Sequence, residues 1–180
     1  MKYAIRIKAS VAVLVTLAIV TPFVSAADLS QDQVVRYLLA TAKAFRSVYA
    51  KDIVEEAKRG GVKPAENWKD NEHAIMLPAQ FIKAAGAEIK DFELSLIGLT
   101  PIYKSNLPKT KAEADALKKL AAQPDLKVVT FADGDQFKGL SADFAIAQGC
   151  ADCHNTHPSS PKKDFKKGDL MGAVVVRLHK

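Results

Sequence analysis

Cys150-Ala151-Asp152-Cys153-His154 concentrates the chemistry of this sequence. The spacing is C-x-x-C-H. Two thiols three positions apart can each add to one vinyl group of a porphyrin and form two thioether bonds, and the histidine that follows then reaches the iron as its proximal ligand. The spacing predicts one covalently attached haem c, held by Cys150 and Cys153, with His154 on the metal. Two plainer readings compete. Cys150 and Cys153 could form a redox disulfide, or could join His154 and His157 in a zinc site. Structural zinc is usually closed by two separated ligand pairs, whereas C-x-x-C-H-x-x-H crowds all four into one short span. A thioredoxin-type motif follows a strand, and Ala147-Gln148-Gly149 is a poor strand end. The chain has no other cysteine, so neither thiol has another partner.

A haem iron has a second face, and the four histidines are the first candidates for it. His157 lies too close to His154 to cross the porphyrin and is expected to bond a haem propionate or a backbone carbonyl. His179 adjoins the C-terminus, where chains fray. His73 remains. It precedes the apolar run Ile75-Met76-Leu77-Pro78, and the rigid start of the next helix would fix its approach. His73 is therefore expected as the distal ligand, giving a six-coordinate, low-spin iron between His73 and His154; the competing readings are a polar loop histidine with no ligand role, and Met76 or Met171 on the iron instead. Lys162, Lys163, Lys166 and Lys167 read as a solvated loop that can neutralise a propionate or steer an acidic redox partner. Asp169 reads as a turn or cap residue.

These residues need elements to hold them. From Leu29 to Arg59, Val34, Val35, Leu38, Leu39, Ala42, Phe45, Val48, Tyr49 and Ile53 recur at spacings of three and four, which predicts one long helix. Ser30 and Gln33 form a capping box at its start, and Gly60-Gly61 ends it. The apolar stripe suits a core face and also a homodimer seam. Val62 to Ala74 is polar and irregular. Pro78 opens a second helix to about Ile89. Phe92 to Leu96 alternates as a strand, and Pro101 bends the chain beyond it. Thr110 and Glu113 read as another capping box, for a helix that stops before Pro124. Lys127 to Phe131 is a strand, Asp133-Gly134 a hairpin signal, and Phe137 to Ile146 the return into the haem motif. Gly172 to Leu178 closes as a buried strand.

The N-terminus has a different purpose. Lys2, Arg6 and Lys8 precede the uncharged run Ala9 to Val20, and Val24-Ser25-Ala26 offers small residues for cleavage. This predicts a signal peptide over residues 1–26 and a single domain over 27–180 in the periplasm, with a retained N-terminal anchor as the alternative. Export suits covalent haem attachment. Removing three cations lowers the formal charge from +6 to +3. No aromatic-interleaved basic face accompanies it, which argues against nucleic acid as a partner. The order of helices and strands predicts an α+β fold, a PAS-like antiparallel sheet flanked by helices.

Asn71-Glu72-His73-Ala74, Leu77-Pro78-Ala79-Gln80-Phe81, Cys150 to His157 and Ser160 to Gly172 form an ordered set over essentially the whole mature chain. It resembles the PAS-like single-haem c-type cytochrome family, found as exported proteins and as sensor halves of signalling proteins. The resemblance implies a PAS-like fold with one covalent haem and a sensory or redox role. Some relatives use a distal cysteine, which this chain lacks. The expected function is redox or gas sensing, or small-scale electron transfer, with a diatomic gas as one ligand and a redox or signalling protein of the cell envelope as partner. It is not expected to be an enzyme. The alternative is a haem enzyme, peroxidase-like or nitrite-reducing, which needs polar acid–base groups on an open distal side.

Overall fold

The computed structural model describes residues 29–179. The predicted signal peptide and its cleavage site lie outside the described residues. The long helix begins as α1 (Gln31–Val48), where Ser30 and Gln33 close the expected capping box. It does not run as a uniform α-helix. A π-turn over Tyr49–Ile53 leads into α2 (Val54–Arg59). Such a turn inserts extra backbone and rotates the residues beyond it. The turn keeps Ala50 and Val54 in line with Val35, Leu39 and Ala42 on the buried side, while Phe45 and Val48, which lie before it on α1, and Ile53 at its end are exposed.

The segment expected to be irregular holds a minimal parallel ladder, β1 (Lys63–Pro64) against β2 (Ala74–Ile75). Pro78 then starts α3 (Pro78–Glu88), and Gln80 reaches back to accept from the Leu77 N–H at 2.9 Å. The main sheet has four antiparallel strands in the order β3-β6-β5-β4. These are β3 (Phe92–Ile97), β4 (Val128–Asp133), β5 (Gln136–Phe144) and β6 (Leu170–Leu178). Gly134 and Asp135 form the two-residue loop between β4 and β5, one residue beyond the predicted dipeptide, with Gly134 at φ 62°. That loop needs positive φ at its first position, which glycine adopts at no steric cost.

Both sheet faces are covered, so β6 reads as a nearly continuous apolar run. Val174 and Val176 pack with Val35, Leu39 and Ile82 on the α1/α3 side. Ala173 and Val175 pack with Leu117, Leu120 and Leu140 beneath α4 (Lys111–Ala122). The expected α+β class, an antiparallel sheet flanked by helices, is what the structure has. Gly86 lets α3 lie close on β3: a Cβ there would stand 2.1 Å from the Leu94 carbonyl oxygen.

The second capping box takes a different form. Thr110 Oγ1 accepts from the Glu113 N–H, but the Glu113 carboxylate turns to the Lys109 N–H and to Arg177. Glu113 is fully buried, and an ion pair with β6 satisfies a buried carboxylate better than a cap exposed to water.

Candidate functional site

The last helix, α5 (Gln148–Thr156), carries the C-x-x-C-H stretch. Helical spacing puts Cys150, Cys153 and His154 on one face, since positions three and four apart are neighbours. That face bounds a cavity of about 460 Å³, within the roughly 300–1,000 Å³ range of small-molecule sites. Its other walls come from Arg46, Ala50 and Val54 on the α1–α2 helix, Leu77 to Gln80 and Lys83 around α3, and Leu96, Ile97, Pro101, Ile102 and Tyr103 at and beyond the end of β3. Asp143 at the end of β5 and Met171 to Ala173 on β6 complete it.

The residues after the motif support His154 from behind. Asn155 Nδ2 donates to the Phe165 carbonyl at 2.8 Å, and the Phe165 N–H donates back to Asn155 Oδ1 at 2.9 Å. The clamp seats the buried Phe165 ring edge-on to His154, with centroids 5.6 Å apart. Gly168, at φ 96°, and Asp169 then pair with Ala145 through backbone bonds of 2.9 Å each. The lysine-rich loop is thus anchored beside the end of β5, with Lys162 over the Phe165 ring, while Lys163, Lys166 and Lys167 are exposed as expected of a solvated loop.

The electrostatics suit a neutral ligand set. Burial, then His157 and Arg46, push the His154 pKa down, so its imidazole is neutral at pH 7. Desolvation, then Glu66 and Cys150, push the Cys153 thiol up. A raised thiol pKa leaves little thiolate, which is poor chemistry for a reactive disulfide exchanger. Among the described residues, no three His, Cys, Asp or Glu side chains converge as a metal site, so the closed zinc arrangement has no geometry here.

The predicted histidines part company. His157 caps α5 and stays beside the cavity mouth. Its Nδ1 accepts from the Ser159 N–H at 3.1 Å, which leaves the proton on Nε2, 3.4 Å from both Glu66 Oε2 and Tyr103 Oη. Glu66 and Tyr103 themselves line the cavity. Tyr103 Oη donates to the Glu66 carboxylate at 2.8 Å, and that bond, with burial, raises the phenol pKa.

His73 is not brought to the cavity. It is exposed, its carbonyl accepts from the Lys63 N–H, and its N–H donates to Asn71 Oδ1. Those bonds tie it to the β1/β2 ladder, whose register local polarity did not reveal. Met76 is also absent from the cavity wall, its carbonyl occupied by the Tyr49 hydroxyl at 2.8 Å, whereas Met171 is part of the wall. His179 is exposed at the chain end.

Two wall residues escaped the sequence reading. Arg46 stands on the buried line of α1 between Ala42 and Ala50, and its Nη2 lies 2.9 Å from Asp143 Oδ2. A lone cation in register with an apolar stripe was the available signal. Burial raises the Asp143 pKa against the opposing pull of Arg46 and Lys43. Among the described residues, the buried side-chain polar atoms without a partner are Arg46 Nε and His154 Nδ1. Both residues line this one cavity, so the site as built calls for a bound group with polar contacts to make.

Comparison with known proteins bears on the same architecture. The family model described as Tll0287-like matches residues 25–178. The crystal structure of the cyanobacterial heme-protein Tll0287 matches with a TM-score of 0.57 at 15% identity, covering 84% of this chain and 98% of that one. At that identity the likeness speaks for the fold. No curated protein matches the chain.

Proposed function

This chain belongs to the Tll0287-like family, and from that premise we propose that it is an exported protein with one covalent haem c, acting as a sensor of ligand or redox state in the cell envelope. The observation that carries the reading is the single face of α5 that turns Cys150, Cys153 and His154 toward the cavity. When bound, the haem supplies an iron that changes oxidation state and accepts a small ligand. Cys150 and Cys153 supply the thiols for attachment. His154 supplies a neutral imidazole whose tilt is set by Phe165 and the Asn155 clamp. Ala50, Val54, Leu77, Leu96 and Ile97 line the cavity and would exclude water from the ring.

Sensing is favoured over plain electron carriage because, among the described residues, His154 is the one histidine of the cavity wall, which leaves the other side of a haem there without a strong nitrogen ligand. Met171 also lines the cavity; a His154–Met171 pair is the ligation of electron-carrying cytochromes, so displacement of Met171 by CO is what the sensing reading requires. The partner is a redox or signalling protein, with a diatomic gas as candidate ligand. A homodimer through α1 belongs to the same proposal, since Tyr37, Phe45 and Val48 are 59%, 63% and 53% exposed on that helix. A second reading, a haem enzyme, draws support from the Tyr103–Glu66–His157 group at the cavity mouth, which could move protons.

Intact mass and absorption spectra of periplasmic material test the proposal. A chain starting near Ala27 with one haem adduct is expected, with CO binding when reduced and negligible peroxidase or nitrite-reducing turnover. A chain without the adduct would overturn it.

A further inference from the structure

Arg46 is a charged residue in the middle of an apolar helix stripe. Placing it there costs desolvation energy. A pair with Asp143 alone does not account for it, because apolar residues of similar volume would serve the fold as well. The ion pair uses Nη2 at 2.9 Å, the side chain is only 13% exposed, and Nε is buried with no partner. The other charged groups of the wall are already engaged. Lys58 bonds Glu55 at 3.1 Å, Lys83 bonds Asn106 at 2.9 Å, and Glu66 accepts from Tyr103 at 2.8 Å. Lys58 and Lys83 are exposed, so water serves their remaining donors, whereas Arg46 keeps a buried, unused donor inside the cavity.

We propose that Arg46, aligned by Asp143, is the carboxylate-binding residue of this cavity. A planar guanidinium matches the two oxygens of a carboxylate and binds them with charge-assisted hydrogen bonds. The carboxylate has two possible sources: a propionate of the haem, or a small free carboxylate that enters as a ligand. The first source rests on the haem reading above; the second does not. Asp143 touches no ligand in this scheme. It acts through Arg46 by fixing one end of the fork.

The test compares the haem-loaded wild type with the double variant Arg46→Leu/Asp143→Asn, which leaves no buried carboxylate unpaired. Resonance Raman reads the propionate bending band, and a formate titration reads free-carboxylate binding through the Soret band. A shifted propionate band in the variant assigns the carboxylate to the haem. A formate affinity reduced by about tenfold or more, with the band unmoved, assigns it to a free ligand. Both readouts unchanged, in a variant that still unfolds cooperatively, would overturn the proposal. Arg46→Lys keeps the charge but not the fork, and carries the same readouts if the double variant misfolds. Failure of the haem reading shows separately, as a wild-type mass without the adduct. Formate is then followed by thermal shift of the haem-free chain. A wild-type Tm increase that the variant lacks upholds Arg46, and no wild-type increase rejects it.

Discussion

Asn155 and Phe165 hold each other by a reciprocal pair of hydrogen bonds, side-chain amide to backbone amide, across ten residues of chain. The clamp is what turns the segment after the C-x-x-C-H stretch into a wall behind His154. Each bond contributes roughly 0.5–1.5 kcal/mol net, so Asn155→Ala is expected to cost about 1–3 kcal/mol in denaturant unfolding. Haem attachment should survive, because the thiols are untouched. The iron spectrum should broaden or shift as His154 loses its support, and an unshifted spectrum would separate the clamp from the iron.

Cys150→Ala and Cys153→Ala should each weaken covalent haem retention, and the double variant should abolish it. Haem-stained denaturing gels read this directly. The yield of folded protein should fall as well, because an apolar space of about 460 Å³ would lose its filling. Full staining in the double variant would remove the thioether assignment.

His73→Ala is expected to leave the oxidised and reduced spectra unchanged, since His73 is exposed and away from the cavity wall. Reduced wild type should take up CO readily. Met171→Leu should raise the high-spin fraction if the thioether holds the sixth position. A switch to high spin in His73→Ala would instead show that the β1/β2 segment rearranges to reach the iron.

Stability should fall in acid, and Glu113 sets the window. Burial alone would raise its pKa. The bidentate bonds from Arg177, at 2.6 and 2.9 Å, with the Lys109 N–H and Lys138, reverse that and lower it from 4.5 to about 2. A carboxyl with a lowered folded pKa stabilises the fold above its unfolded pKa and loses that contribution as pH falls through the folded value. The loss should therefore run from about pH 4.5 down to about pH 2, with a size of about 3 kcal/mol. Glu113→Gln removes the charge between Arg177 and Lys138, which keep Glu93 and Asp133 as partners, and should cost about 1–3 kcal/mol at pH 7, while flattening the acid limb in urea titrations. An acid limb unchanged in the variant would point to other carboxylates.

The sequence by itself determined what depends on neighbours a few positions away. The Ser30–Gln33 box, Pro78 at a helix start, the alternation of Phe92 to Leu96 and the buried run at Val174 to Val176 are local, because propensity, capping and pleat act over three or four residues. The grouping of Cys150, Cys153 and His154 is of the same kind: once the stretch is helical, their spacing decides which face they share. Only the tertiary structure decided which distant charges meet. Arg46 finds Asp143, and Glu113 finds Arg177, across separations that no periodicity encodes. It also decided that the π-turn at Tyr49–Ile53 holds Ala50 and Val54 on the buried side while Phe45, Val48 and Ile53 are exposed, and that His73 lies exposed beside the β1/β2 ladder, outside the cavity wall. The physical reason is common to all of these. A buried charge or a backbone ladder is set by the partner that folding brings to it, and that partner lies elsewhere in the chain.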